Sequence, residues 1–175
     1  MSTRRSGRAF LGAALLATVL HAGTAAAAVP EDWRLLGSGE MRWFGFKLYD
    51  ARLWVAPQSD PARVADQAFA LELRYAREIP SARLVEASVE EMERLGEPAG
   101  ERLAGWRRLL AGVFPDVRPG EVIIGLNRPG EGAAFYHQGR LTGRVTDAEF
   151  ARRFFAIWLD ARTREPDLRR RLLGQ

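Results

Sequence analysis

Residues 121–145 read EVIIGLNRPGEGAAFYHQGRLTGRV, and the spacing of apolar residues and turn formers in that stretch decides what kind of fold the chain builds. Val122, Ile123, Ile124 and Leu126 form a nearly unbroken apolar run, as a strand buried on both faces does. Pro129-Gly130 turns it. Ala133–His137 and Leu141–Val145 then flank Gln138-Gly139, which fits a tight hairpin with Gly139 at positive φ. Strands joined so tightly must be antiparallel, because a parallel crossover takes about a dozen residues or more. The stretch is a three-stranded meander.

Upstream, Phe69, Leu71, Leu73 and Tyr75 alternate with Ala70, Glu72 and Arg74, which predicts a strand with one apolar and one wet face. Two earlier strands lie between Trp33 and Val55, with Gly37 and Gly39 breaking the first apolar run. Pro80-Ser81 opens a helix in which Leu84, Val85, Ser88, Met92 and Leu95 share a stripe opposite Glu86, Glu90 and Glu93, and Gly96 stops it. A second helix is expected from about Ala99 to Val113, its stripe carried by Leu103, Trp106, Leu109 and Leu110. Downstream, Thr146 is the expected cap of a helix with Asp147 and Glu149 in its first turn and an apolar face of Phe150, Phe154, Ile157 and Trp158. Pro166 begins a last short helix through Leu172. The fold class is α+β: mainly antiparallel strands with helices packed on the sheet.

The chain has 175 residues, 47% of them hydrophobic and 27% charged, the balance of one globular domain with its own core. It has no cysteine, which excludes thiolate metal sites, cysteine nucleophiles and redox switching. Histidine occurs only at positions 21 and 137, too few for a multi-histidine zinc site, so no metal is expected. No cofactor is expected either: Gly37-Ser38-Gly39 lies among strands and GLNRPGEG (125–132) leads into one, whereas a phosphate loop must open a helix.

Arg4, Arg5 and Arg8 account for all but one of the four net positive charges. They precede an apolar run, Ala9–Leu20, and the small residues Ala25–Ala28, the pattern of an export leader. The run is shorter than the about 20 residues that span a bilayer. The expected organisation is a signal peptide over 1–28, cleaved near Ala27 or Ala28, and one domain over 29–175, periplasmic or secreted, with no transmembrane span in the mature chain. General secretion and the twin-arginine route both remain open, Phe10-Leu11 lying late after the arginine pair. Beyond the leader, cations and carboxylates interleave, and Lys47 is the only lysine; no one-sided basic patch suits a nucleic acid.

Arg42, Lys47 and Arg52 punctuate a hairpin rich in Trp43, Phe44, Phe46, Tyr49 and Trp54. Two arrangements fit. The aromatics wall an apolar cleft with a cation at its rim, as a site for an amphipathic acid would, or they fill the core while the cations alternate outward. His137, the one imidazole after the leader, ends a strand, where an exposed turn histidine is as consistent as a general base. Arg42, Tyr49, Lys47, Tyr136 and His137 are the candidate ligand-binding residues; no catalytic residue is assigned.

Three stretches, GSGEMRWFGFKLYDARLWV (37–55), FPDVRPGEVIIGLNRPGEGAAFYHQGRLTGRV (114–145) and DAEFARRFFAIWLDARTREPDLRRRLLG (147–174), together resemble the exported bacterial branch of the chalcone isomerase-like family. The resemblance implies an open-faced β-sandwich: a long antiparallel sheet under a layer of helices, with a ligand cleft between. In the plant enzymes an Arg holds the substrate oxygen while Thr, Tyr, Asn and a hydroxylated residue of the closing helix arrange waters during ring closure. Here Arg42 is the counterpart of the Arg, Tyr49 falls at the strand Thr, Ser81 and Ser88 near the helix Tyr and Asn, and Ile157 at the last position. Loss of so many polar partners implies a noncatalytic protein. Noncatalytic relatives bind fatty acids through Arg and Tyr, parts that Arg42 and Tyr49 would play. The alternatives are an intramolecular lyase of unknown substrate, with Arg42 as electrophile, and an envelope interaction protein whose cleft Trp43, Phe154 and Trp158 fill. The sequence leaves the oligomeric state and the identity of any ligand undefined.

Overall fold

The computed structural model describes residues 28–96 and 100–175. Its centre is one sheet of β1 (Arg34–Trp43), β2 (Phe46–Val55), β3 (Phe69–Tyr75), β4 (Val122–Arg128), β5 (Gly132–His137) and β6 (Arg140–Val145). The strands lie in sequence order and every neighbouring pair is antiparallel. α1 (Ser81–Arg94) and α2 (Glu101–Val113) interrupt the meander between β3 and β4, and α3 (Ala148–Leu159) and α4 (Pro166–Leu172) follow β6. The helices and one face of the sheet share a single apolar core. This is the expected open-faced β-sandwich. Residues 1–27, which hold most of the expected leader, and Ala99, where the second helix was expected to start, fall outside the described residues. Among the described residues no helix is long and apolar enough to cross a membrane.

The hairpin predicted at Gln138-Gly139 is present, with φ of 51° and 77°. Gln138 tolerates the left-handed region because it is tied on both sides to Val122: its N–H donates to the Val122 carbonyl at 3.0 Å, and its Oε1 accepts from the Val122 N–H at 2.9 Å. β4 is buried on both faces along all but its last residue, as its unbroken apolar run requires.

Gly37 and Gly39 interrupt the apolar run inside a single strand: β1 runs ten residues through both, with irregular register at Leu35/Gly37 and Met41/Arg42. The glycines are there for α4, since a Cβ on Gly37 would lie 2.0 Å from the Arg171 carbonyl oxygen and one on Gly39 2.8 Å from Leu168 Cδ1. Two expectations are corrected. The second face of β3 is wet only at Arg74. Ala70 and Glu72 are buried with Val122, Ile124, Leu126 and Ala134, and Ala28, Val29, Trp33, Trp54 and Tyr136 close over this outer cluster. The buried Glu72 carboxylate has partners there: its Oε2 accepts from Trp54 Nε1 at 3.0 Å, with Arg52 at 3.6 Å and Arg74 at 4.0 Å. Finally, α3 is capped by Asp147, not Thr146. Asp147 Oδ1 accepts from the N–H groups of Glu149 and Phe150, and Oδ2 from Trp106 Nε1, so one carboxylate both caps α3 and ties α2 to it.

The core between the layers is aromatic. Phe135 of β5 meets Phe114, Phe150 and Phe154 edge-on at centroid distances of 5.3, 6.2 and 5.2 Å. Phe155 reaches across to Phe69 of β3 at 4.9 Å. Such edge-to-face pairs add to the burial of each ring.

Candidate functional site

Tyr49 of β2 stands in register between Met41 of β1 and Tyr75 of β3 and packs against the inner core. Its hydroxyl accepts a hydrogen bond from Trp158 Nε1 of α3 at 3.0 Å, and its ring meets that of Tyr75 edge-on at 5.8 Å. Burial pushes the Tyr49 phenol up to about 12, the Trp158 hydrogen bond opposing it. Burial raises Tyr75 as well, with Tyr49 adding to it. Both phenols are therefore neutral hydrogen-bonding groups near pH 7. Phe154 and Trp158 belong to the core, and Trp43 does not: it is among the most exposed large side chains.

The remaining sequence candidates lie elsewhere. Arg42 sits at the exposed end of the β1–β2 hairpin, its Nε donating to Glu40 at 2.6 Å and its Nη1 to the Gly45 carbonyl at 3.0 Å. The hydrogen bond to Glu40 raises Arg42 and holds the Glu40 carboxyl below its usual range. Lys47 pairs with Asp50 at 2.6 Å and lies 3.7 Å from Glu40. Tyr136 belongs to the outer cluster, on the far side of the sheet from the helices. His137 Nε2 donates to Glu121 at 3.0 Å; desolvation would raise that carboxyl, and the bonds from His137 and the Arg118 N–H hold it below its usual range. The structure does not bring these five residues together.

What it does bring together is a cavity of about 160 Å³ between α3, the C-terminal end of α1 and the adjoining ends of β3 and β4. Phe69, Leu95, Phe155 and Leu159 supply its apolar wall, and Ala151 and Ala156 the room for it. At its polar end stand Asn127, Arg153, Asp160 and Arg162. Asn127 donates to the Gln67 carbonyl at 2.9 Å, which ties the end of β4 to the short helical turn Pro61–Asp66. Arg153 Nη1 donates to the carbonyl of Gly96 at 2.5 Å. Its Nε is buried and has no hydrogen-bond acceptor among the described residues, Glu149 being 3.9 Å away. A buried guanidinium N–H without an acceptor costs free energy unless something fills the place.

Asp160 and Arg162 close the rim, Nε and Nη2 of Arg162 reaching the carboxylate at 3.0 and 2.8 Å. These bonds, with that from the Arg162 N–H, hold Asp160 at about 2, below its usual 3.8. A lowered folded-state value stabilises the fold above the usual one and loses that contribution as pH falls toward the folded one. Asp160→Asn is expected to cost about 1 kcal/mol near neutral pH, a figure discounted for solvent screening of the exposed Arg162. In urea titrations the gap to the parent protein should close as pH falls from 3.8 toward about 2. A gap independent of pH would exclude the carboxylate as its source.

Sequence reasoning passed over Arg153 because it is one arginine in an arginine-rich chain. A signal existed: Arg153 lies three residues after Phe150 and four before Ile157, which places a cation within the apolar stripe of α3.

A single antiparallel sheet roofed on one face by helices is the open-faced β-sandwich architecture. The chain belongs to the chalcone isomerase-like family, whose sequence profile matches residues 21–174. Among solved structures it is similar in fold to the crystal structure of a fatty-acid binding protein of Arabidopsis thaliana: TM-score 0.63, 13% identity, covering 83% of this chain and 89% of that one. No curated protein matches the sequence.

Proposed function

We propose that this protein is an exported, noncatalytic binder of small apolar acids, which it holds in the cavity under α3 with the carboxylate at Arg153. The observation that carries the proposal is a cavity in which Phe69, Leu95 and Phe155 meet the guanidinium-bearing side chain of Arg153. A carboxylate would complete Arg153 by a charge-assisted hydrogen bond, while Phe69, Leu95 and Phe155 would desolvate the tail. Size narrows the ligand. A hole of about 150 Å³ accommodates a benzene-sized guest, so 160 Å³ suits a short-chain, branched or aromatic acid, and a longer tail would have to leave through the mouth. The fatty-acid binding protein of the same fold supports this class of ligand.

Turnover has less to stand on. Ser81 and Ser88, at the positions of the family's helix Tyr and Asn, spend their hydroxyls on the carbonyls of Phe114 at 2.6 Å and Leu84 at 2.8 Å. Ile157 has no hydroxyl, and the Tyr49 oxygen already accepts from Trp158 Nε1.

Calorimetric titration with butanoate, hexanoate, octanoate, benzoate and palmitate tests the proposal. The parent protein should bind the mid-sized acids best, and Arg153→Gln should weaken them by about tenfold or more. Ala156→Leu, which fills the cavity, should abolish binding with the native melt retained. Absence of heat with every acid, or equal affinity in Arg153→Gln, would overturn it.

A further inference from the structure

The β1–β2 hairpin outruns the sheet. β2 pairs with β3 only from Tyr49 onward, so the end of the hairpin around residues 42–47 projects without a neighbouring strand. At that end Trp43, Phe44 and Phe46 are 64%, 83% and 61% exposed. The two-residue turn has φ of 47° at Phe44 and 80° at Gly45. Turns with both central residues at positive φ favour Asn-Gly, and a bulky residue at the first position is sterically strained. Phe44 thus carries two unfavourable features, backbone strain and an exposed ring, its ring tilted against that of Trp43 at 4.9 Å.

Charges are ordered along the hairpin axis. Phe44 is outermost, Trp43 and Phe46 come next, and Arg42 and Lys47 stand one residue behind them. The Arg77 guanidinium lies over the Phe46 ring at 5.0 Å. Glu40 and Asp50, the carboxylates that pair with Arg42 and Lys47, sit further back. Arg42 also braces the turn through the Gly45 carbonyl. Aromatics first, cations second and carboxylates last is the depth order of a membrane interface, in which rings enter the acyl boundary and cations stay at the phosphates.

We propose that this tip inserts Trp43, Phe44 and Phe46 into the interface of an anionic lipid bilayer. A protein partner fits less well: the tip is convex and narrow, while a specific protein interface buries about 1,000 Å² or more.

Vesicles of equal parts phosphatidylcholine and phosphatidylglycerol, floated with the full chain, provide the test. Phe44→Asn suits the turn better than the native residue, so its melting temperature should hold or rise while its vesicle partitioning falls at least about tenfold. Both proteins share the same N-terminal segment, so the difference between them reads the tip. The fraction of fluorescence removed by Trp43→Phe should be the fraction quenched by lipids brominated on the acyl chains. Equal flotation of parent and Phe44→Asn together with an unquenched Trp43 would overturn the proposal. So would a concentration-dependent dimer in sedimentation that Phe44→Asn abolishes without any flotation of the parent, which would assign the tip to a second copy of the chain.

Discussion

Phe135→Ala is expected to lower unfolding stability by about 4 kcal/mol, the upper part of the range for deleting a buried ring. Phe135 is 1% exposed and lies where the sheet, α3 and the segment after α2 meet, touching Phe114, Phe150 and Phe154. None of these rings can drop into the gap without giving up its own edge contacts, so the cavity stays open and the loss includes both transfer and cavity contributions. Urea unfolding at constant slope should show the loss as a shift in midpoint. A loss below about 1.5 kcal/mol would mean that the aromatic core repacks around the hole.

Gly37→Ala is expected to cost about 3 kcal/mol or more, a large effect for one methyl group. The cause is contact and not conformation. The new carbon would lie 2.0 Å from the Arg171 carbonyl oxygen and 2.6 Å from that of Leu172, and both obstacles are backbone. Only a shift of α4 relieves them, and Leu168 and Leu172 of that helix are buried in the core. Gly39→Ala should cost less, because its nearest obstacle, Leu168 Cδ1 at 2.8 Å, ends a side chain that can rotate. Thermal unfolding of the two variants should rank them in that order, and equal costs would show that α4 moves as a unit.

The parts of the fold legible in the sequence are those set by local pattern. Alternation at Phe69–Tyr75, the unbroken run at Val122–Leu126 and Gln138-Gly139 each specify an element without help from distant residues. What escaped depends on partners far along the chain. Gly37 and Gly39 read only as a gap in an apolar run, because α4, some 130 residues later, gives them their purpose. Glu72 reads as solvent-facing because Trp54, which donates to it, lies 18 residues away on a neighbouring strand. The site follows the same rule. Tyr49 stands out in the sequence for its aromatic surroundings, while the donor to its hydroxyl oxygen, Trp158, lies 109 residues away. Arg42 was chosen for the same surroundings, but a hairpin places its tip by length, and this one carries Arg42 past the sheet. Arg153 is marked in the sequence by its place in the apolar stripe of α3, but Gly96, Phe69 and Asn127, which surround it, come from distant segments.

The packing of α4 on β1 has a consequence for synthesis. The first strand to leave the ribosome is roofed by the last helix: Leu168 lies against Gly39, Leu172 against Gly37, and Gly174 against the Leu36 carbonyl. Until Pro166–Leu172 has emerged, the inner side of β1 has no cover, however much of the meander has paired. β1 therefore waits on a segment some 130 residues downstream, and a chain threaded through a narrow exit would latch the two together only after α4 has followed.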